Sequence, residues 1–146
     1  MAALLRIENL TVHFDTDDGP VEAVDGATLD VRAGEVVGLV GESGSGKSVT
    51  AMTILRLLRR PARIVSGRID FDGRDLLALD EGAMRAIRGA RISMVFQSPR
   101  TSLNPVLPIG VQVERLLRRH TRASPRQARD RRRSHSRPST TSRASH

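Results

Sequence analysis

At 146 residues the chain has room for one domain with a modest core, and its length argues against two. It holds no cysteine, which excludes a disulfide framework and a thiolate metal site, and its four histidines are too scattered to form a cluster. The net charge of +8 is uneven: residues 1–117 carry 14 Lys and Arg against 15 Asp and Glu, whereas residues 118–146 carry 10 against 1. The basic character therefore belongs to the C-terminal tail and does not report a basic patch on a folded surface. Arg6 and Glu8 follow Met1 too closely for the apolar core of a signal peptide, and no run approaches the length of a spanning helix. A cytoplasmic protein, bound at most to a membrane partner, is expected.

Taken in order, Leu5, Ile7, Leu10, Val12 and Phe14 mark an opening β segment, with Asp15 to Pro20 as an acidic turn. His13 reads as a solvent-facing strand residue rather than a ligand. Val21 and Val24 resume the β structure, Ala27, Leu29 and Val31 alternate as a further half-buried strand, and Arg32-Ala33-Gly34 turns the chain. Glu35 to Val40 is then a short, Val-rich run that suits a buried parallel strand.

That run leads into Gly41-Glu42-Ser43-Gly44-Ser45-Gly46-Lys47-Ser48, which fits the phosphate-loop pattern G-x-x-x-x-G-K-[ST] at every fixed position. Glycines 41, 44 and 46 are expected to take positive φ and let successive N–H groups converge on one anion. Lys47 would neutralise the β- and γ-phosphates, and the Ser48 hydroxyl would take one position on a magnesium ion. Val49, Met52, Leu55 and Leu58 recur at helical spacing, so the loop opens a helix whose dipole adds to phosphate binding, as far as Arg59-Arg60-Pro61. Lys47 is also the only lysine in a chain that otherwise uses arginine, so a compact point charge sits at the one place that needs it.

Ser66 to Phe71 reads as a strand with Asp72-Gly73 as its turn. Asp80 can cap a helix running to about Arg88, with Met84 and Ile87 facing inward and Gly89 stopping it. Arg91 to Phe96 is a candidate strand ending at Gln97, residues 98–105 form a loop, and Ile109, Val113, Leu116 and Leu117 suggest one more amphipathic helix. From Thr121 to His146 the chain is nearly all Arg, Ser, Thr, Ala, Pro and His, and this segment is expected to be disordered.

Four stretches in this order and spacing resemble the ATP-binding subunits of ABC transporters, within them the dipeptide and oligopeptide importer branch. They are Ala23-Val24-Asp25-Gly26 with Gly34-Glu35, the phosphate loop itself, Ser66-Gly67-Arg68-Ile69-Asp70-Phe71-Asp72-Gly73, and Phe96-Gln97 through Ser102-Leu103-Asn104-Pro105. The resemblance covers residues 1 to about 120, the N-terminal half of such a domain, and implies an α/β P-loop NTPase fold of ABC type, antiparallel β structure joined to parallel core strands. It implies ATP and Mg2+ as cofactors, residues 41–49 around the phosphates, and an aromatic at Phe14 to stack on adenine, where a plain core phenylalanine is the competing reading. It makes Gln97 the glutamine that touches magnesium and the attacking water, in a loop that meets the membrane partner. The implied partners are transmembrane permease subunits and a second ATP-binding subunit at the inner face of the cell membrane, with no specific nucleic acid. The transported solute is not readable.

Nothing in the sequence resembles the family's Leu-Ser-Gly-Gly-Gln signature, the apolar strand ending in a magnesium-binding Asp, the catalytic Glu after it, or the later switch His. In the family that Asp strand lies beside the phosphate-loop strand, so Val36 to Val40 is expected to keep an unpaired apolar edge. Two readings of residues 121–146 compete: a basic arm for nucleic acid or an anionic surface, or out-of-frame translation after a frameshift. The absence of aromatics among the arginines weakens the first.

Overall fold

The computed structural model describes residues 3–97, 103–121 and 127, divided into two compact units, Met1–Ile92 and Ser93–His146. The first unit is built on a long antiparallel hairpin of β1 (Ala3–Thr16) and β2 (Gly19–Arg32). Its turn is only Asp17-Asp18, shorter than the acidic turn expected, because Asp15 already pairs with Pro20 and Thr16 with Gly19. The two β segments expected after the turn are likewise one strand.

β1 changes phase at Asn9, whose φ of 46° accompanies register shifts on both of its edges. This irregularity puts both Ile7 and Leu10 in the core, which strict alternation would forbid. Threonines satisfy the disturbed ladder: the Asn9 amide donates to Thr28 Oγ1 at 3.1 Å and the Gly26 amide to Thr11 Oγ1 at 3.2 Å.

On the other edge of β1 lies β3 (Ala62–Phe71), antiparallel and four residues longer than its apolar run suggests. Asp72 and Gly73, at φ 50° and 74°, form the tight turn expected there and lead to β4 (Arg74–Asp75). The sheet order is β2-β1-β3-β4. Helix α2 (Glu81–Ile87) starts as expected, its Asp80 carboxylate accepting from the Ala83 amide at 2.7 Å, and presents Met84 and Ile87 to the core. Ile7, Leu10, Val12, Val24, Ile69 and Phe71 complete that core from the sheet, with Leu76 after β4.

Helix α1 (Lys47–Ile54) is shorter than its apolar spacing implies. The chain leaves the helix at Leu55 and Arg56, the latter with φ 50°, because arginines collect the freed carbonyls. Arg88 donates from Nε to the Leu55 carbonyl at 2.7 Å and from Nη2 to the Arg56 carbonyl at 3.3 Å, while the Arg56 guanidinium points away to the Leu79 carbonyl at 2.5 Å. The buried residues of α1 are Thr50 and Thr53, whose hydroxyls donate to the carbonyls of Gly46 and Val49 and so enter the interior with no orphaned polar atom.

Two expected strands do not form. Residues 35–40 belong to no strand, and among the described residues no backbone hydrogen bond joins Val36–Val40 to anything. Val36 is 97% exposed and Val40 94%. A parallel strand needs neighbours on both edges to bury its peptide groups. None of the described strands supplies them. Arg91 to Phe96 fails similarly, with a single bridge between Arg88 and Ile92 and no ladder beyond it.

In the second unit residues 93–97 are irregular and helix α3 (Ile109–His120) follows Pro108 as the amphipathic pattern foresees. Gln112 anchors the segment ahead of it: its amide oxygen accepts from the Asn104 N–H, and its nitrogen donates to the carbonyls of Asn104 and Leu107, all within 2.9 Å. Most of the loop 98–105 and the tail from 122 lie outside the described residues, apart from Gln127.

Candidate functional site

The chain turns at Ser43-Gly44, bends through Ser45-Gly46 and enters α1 at Lys47. Gly44 and Gly46 take φ of 85° and 81°, in the region where a side chain is strained. Gly41 does not, contrary to expectation; there an added Cβ would lie 2.6 Å from Ser45 Oγ, so the requirement is space rather than handedness. Gly46 is constrained twice, because a Cβ on it would also run into the carbonyl oxygen of Ala23 in β2. That approach explains why the stretch Ala23-Val24-Asp25-Gly26 accompanies the loop in sequence: β2 is the floor against which the loop closes.

Lys47 is drawn back over the loop. Its ammonium donates to the Gly41 carbonyl at 2.6 Å, the Glu42 carbonyl at 2.5 Å and Ser45 Oγ at 2.9 Å, so all three protons are engaged. The helix behind it has no side-chain cap and no acid in its first turn. An uncapped helix N-terminus, two left-handed glycines and a lysine on the same side make a concave site for an anion. Ser48 is exposed, and Glu42 and Ser43 face solvent with it. Val49 is half-buried against the core.

Beside Lys47 opens a cleft of about 290 Å³, lined by Ile7, Val24, Asp25, Thr28 and Leu39 among others. Asp25, Thr28 and Thr50 were not among the residues expected there; only the Ala-Val-Asp-Gly stretch hinted at the first. Phe14 does not line this cleft. It sits half-buried on β1, paired with Val21 and with Ala62. His13 lies beside it, with Nε2 3.3 Å from Glu22, and its Nδ1 is buried without a partner. Gln97 belongs to the second unit, where it is exposed. The structure thus gathers Gly41 to Val49 at one place and sets Phe14 outside the cleft on β1, while Gln97 belongs to the other unit.

A sequence profile described as ABC transporter matches residues 24–142. The chain belongs to the ABC transporter family. The dipeptide transport ATP-binding protein of Escherichia coli (strain K12) is 43% identical over 118 residues, covering 81% of this chain and 36% of that protein. Its counterpart in Bacillus subtilis (strain 168) is 47% identical over 130 residues, covering 88% and 39%. A peptidoglycan transport ATP-binding protein of Agrobacterium fabrum is 50% identical over 129 residues, covering 88% and 24%. The chain therefore spans well under half the length of these ABC transporter relatives. Among solved structures, a dimeric ATP-binding cassette in a post-hydrolysis state bound to ADP and Pi superimposes with a TM-score of 0.72 at 26% identity, covering 89% of this chain and 54% of the other. The fold is accordingly that of the N-terminal half of an ABC P-loop NTPase.

Proposed function

We propose that this chain supplies the ATP-binding loop of the energising subunit of an ABC importer for peptides or similar small solutes. The observation that carries the reading is Lys47, held by three loop oxygens at an uncapped helix N-terminus, in a chain whose relatives are dipeptide transport ATP-binding proteins. Arrival of a triphosphate gives the ammonium charged oxygens in place of neutral carbonyls, so it exchanges its contacts on Gly41 and Glu42 for the β- and γ-phosphates. The N–H groups around Gly44 and Gly46 and the start of α1 take the remaining phosphate oxygens.

The Ser48 hydroxyl is the side chain here that fits a magnesium ion, which needs few protein ligands when phosphates supply the rest. Bound magnesium would neutralise charge building on those oxygens. By family resemblance Gln97 orients the attacking water and marks the contact with the permease subunits, and Phe14 stacks on adenine. The working assembly comprises those subunits and a second ATP-binding subunit at the inner face of the cell membrane. The sequence has no signature motif, no Asp-Glu pair after an apolar strand and no switch histidine. The isolated chain accordingly binds ATP and does not turn it over.

Titration calorimetry with ATP and magnesium tests the site. Lys47→Ala should weaken binding by about tenfold or more, since a charge-assisted contact to phosphate is lost. Equal affinity in the two proteins would end the assignment. Phosphate release that depends on Lys47 would instead show that the chain recruits the missing catalytic groups.

A further inference from the structure

Helix α1 ends in a Schellman turn: the Leu57 amide donates back to the Met52 carbonyl at 2.9 Å and the Arg56 amide to the Thr53 carbonyl at 2.8 Å. The left-handed position of such a turn favours glycine, yet Arg56 holds it at φ 50°. A residue kept there persists only where its surroundings fix it. Two arginines do so from opposite sides. Arg56 Nη1 leaves its own helix for the carbonyls of Leu79 and Leu76, at 2.5 and 3.4 Å, in the segment ahead of α2. Arg88, at the end of α2, comes back with Nε on the Leu55 carbonyl and Nη2 on that of Arg56, the two peptide oxygens that flank the left-handed residue. Its Nη1 is held in turn by Glu81 Oε1 at 2.7 Å.

We propose that Arg56 and Arg88 are positioning residues for the phosphate loop, a reciprocal clamp that ties the end of α1 to α2 and so sets where Lys47 and the N–H groups of Gly44 and Gly46 stand. This rests on the ATP-binding reading above. Both arginines act through the backbone of the helix and not on a phosphate. The near end of α1 is fixed against β2, where a Cβ on Gly46 would run into the Ala23 carbonyl, and the arginines fix the far end. A helix held at both ends keeps its direction.

Apolar packing alone grips α1 lightly. Its buried residues are two threonines whose hydroxyls turn back into the helix, while Val49 and Ile54 are only half-buried against the core. Eight residues make a helix about 12 Å long, so a tilt of about 10° at the far end carries the first residue about 2 Å. That first residue is Lys47. Charge works in the same direction: the last turn of α1 has no basic residue of its own, and Arg88 brings a cation to the end where the helix dipole favours one.

Titration calorimetry of the full chain with ATP and magnesium tests this, on variants shown by circular dichroism to be folded. Arg88→Met and Arg56→Gly should each weaken binding by about fivefold or more, since a small displacement of the loop spoils contacts that need hydrogen-bond distance. Arg56→Gly is the sharper arm. Glycine suits the left-handed turn better than arginine does, so a role in stability alone predicts unchanged or tighter binding. The double variant should bind no more weakly than the poorer single one, because either change already opens the clamp. Ile69→Val, a core change on β3 that lowers stability without touching either arginine, should bind ATP as wild type does. Full affinity in Arg56→Gly or in folded Arg88→Met beside a weakened Lys47→Ala, losses that add in the double variant, or an equal loss in Ile69→Val would each overturn the proposal and leave the ATP site standing. Equal affinity of wild type and Lys47→Ala would end both.

Discussion

Ile7 and Val36 are both aliphatic residues in extended runs, yet one has no solvent exposure and the other is 97% exposed. Their neighbourhoods differ in one respect. Ile7 lies on a strand with a partner on each edge, paired with Leu29 on one side and Ile69 on the other. Val36 has no partner on either. Composition argued for burial in both places, and the hydrophobic gain per side chain is about the same. What separates them is the backbone, whose N–H and C=O groups enter the interior only when paired. In this chain the antiparallel sheet is self-sufficient and the approach to the phosphate loop is not.

The sharpest break of that comparison comes from truncating one residue in each region. Ile69→Ala, at a fully buried position on β3 opposite Ile7, should cost about 2–5 kcal/mol, whereas Val36→Ala should cost less than about 0.5 kcal/mol. Urea unfolding of both at dilute concentration measures the difference. A large loss at Val36 would mean that the segment is packed in solution and that the contrast is false.

Next in size is the arginine clasp that ends α1. Arg88→Met keeps much of the side chain's bulk but leaves the carbonyls of Leu55 and Arg56 without their donor and Glu81 without its closest partner. A loss of about 1–3 kcal/mol is expected, with early hydrogen exchange confined to the C-terminal turn of α1. Unchanged stability would show that water replaces the clasp. Smaller again is the α2 cap. Asp80→Ala should lower stability by about 1 kcal/mol and Asp80→Asn by less, since the amide oxygen can still accept from Ala83.

These sites also mark how far the sequence could be read. The Asp72-Gly73 turn, the Asp80 cap and the phosphate loop are local devices, in which neighbouring residues dictate backbone angles, and each stands where its pattern put it. Even the irregularity in β1 was visible in principle, since Leu5 and Ile7 alternate in one phase and Leu10, Val12 and Phe14 in the other, with Glu8-Asn9 between. What escaped is non-local. The end of α1 is fixed by Arg88, more than thirty residues on, and Thr50 and Thr53 line its inner side because their hydroxyls are satisfied within the helix. Gly41 looked like a left-handed glycine and is a spatial one, which only the position of Ser45 reveals. The exposure of Val36 to Val40 turns on strand pairing, which none of the described strands provides and no local pattern reveals.

The smallest effect concerns acid, and it separates the two regions by charge. Glu81 is held below the ordinary carboxylate range, first by the hydrogen bond from Arg88; desolvation opposes that, and the hydrogen bond from Arg85 and the charges of both arginines add to the lowering, while Asp70 is lowered in the same way by Arg68. A carboxyl whose pKa is lowered by folding binds its proton more readily when unfolded, so its contribution is complete above the unfolded value. It fades as pH falls through the folded one. For Glu81 the unfolded reference is about 4.5. The urea midpoint of wild type relative to Glu81→Gln should therefore hold constant from neutral pH to about pH 5.5, one unit above that reference, and the gap should narrow below it. Both carboxyls lie in the sheet unit, at the end of β3 and the start of α2, and both are solvent-exposed and screened, so the change is modest and shrinks in high salt. The sheet unit should therefore respond to acid through Glu81, whereas Val36 to Val40 carries no titratable group of its own. A gap that widened towards low pH would reverse the sign and show that Glu81 is not stabilised by its arginines.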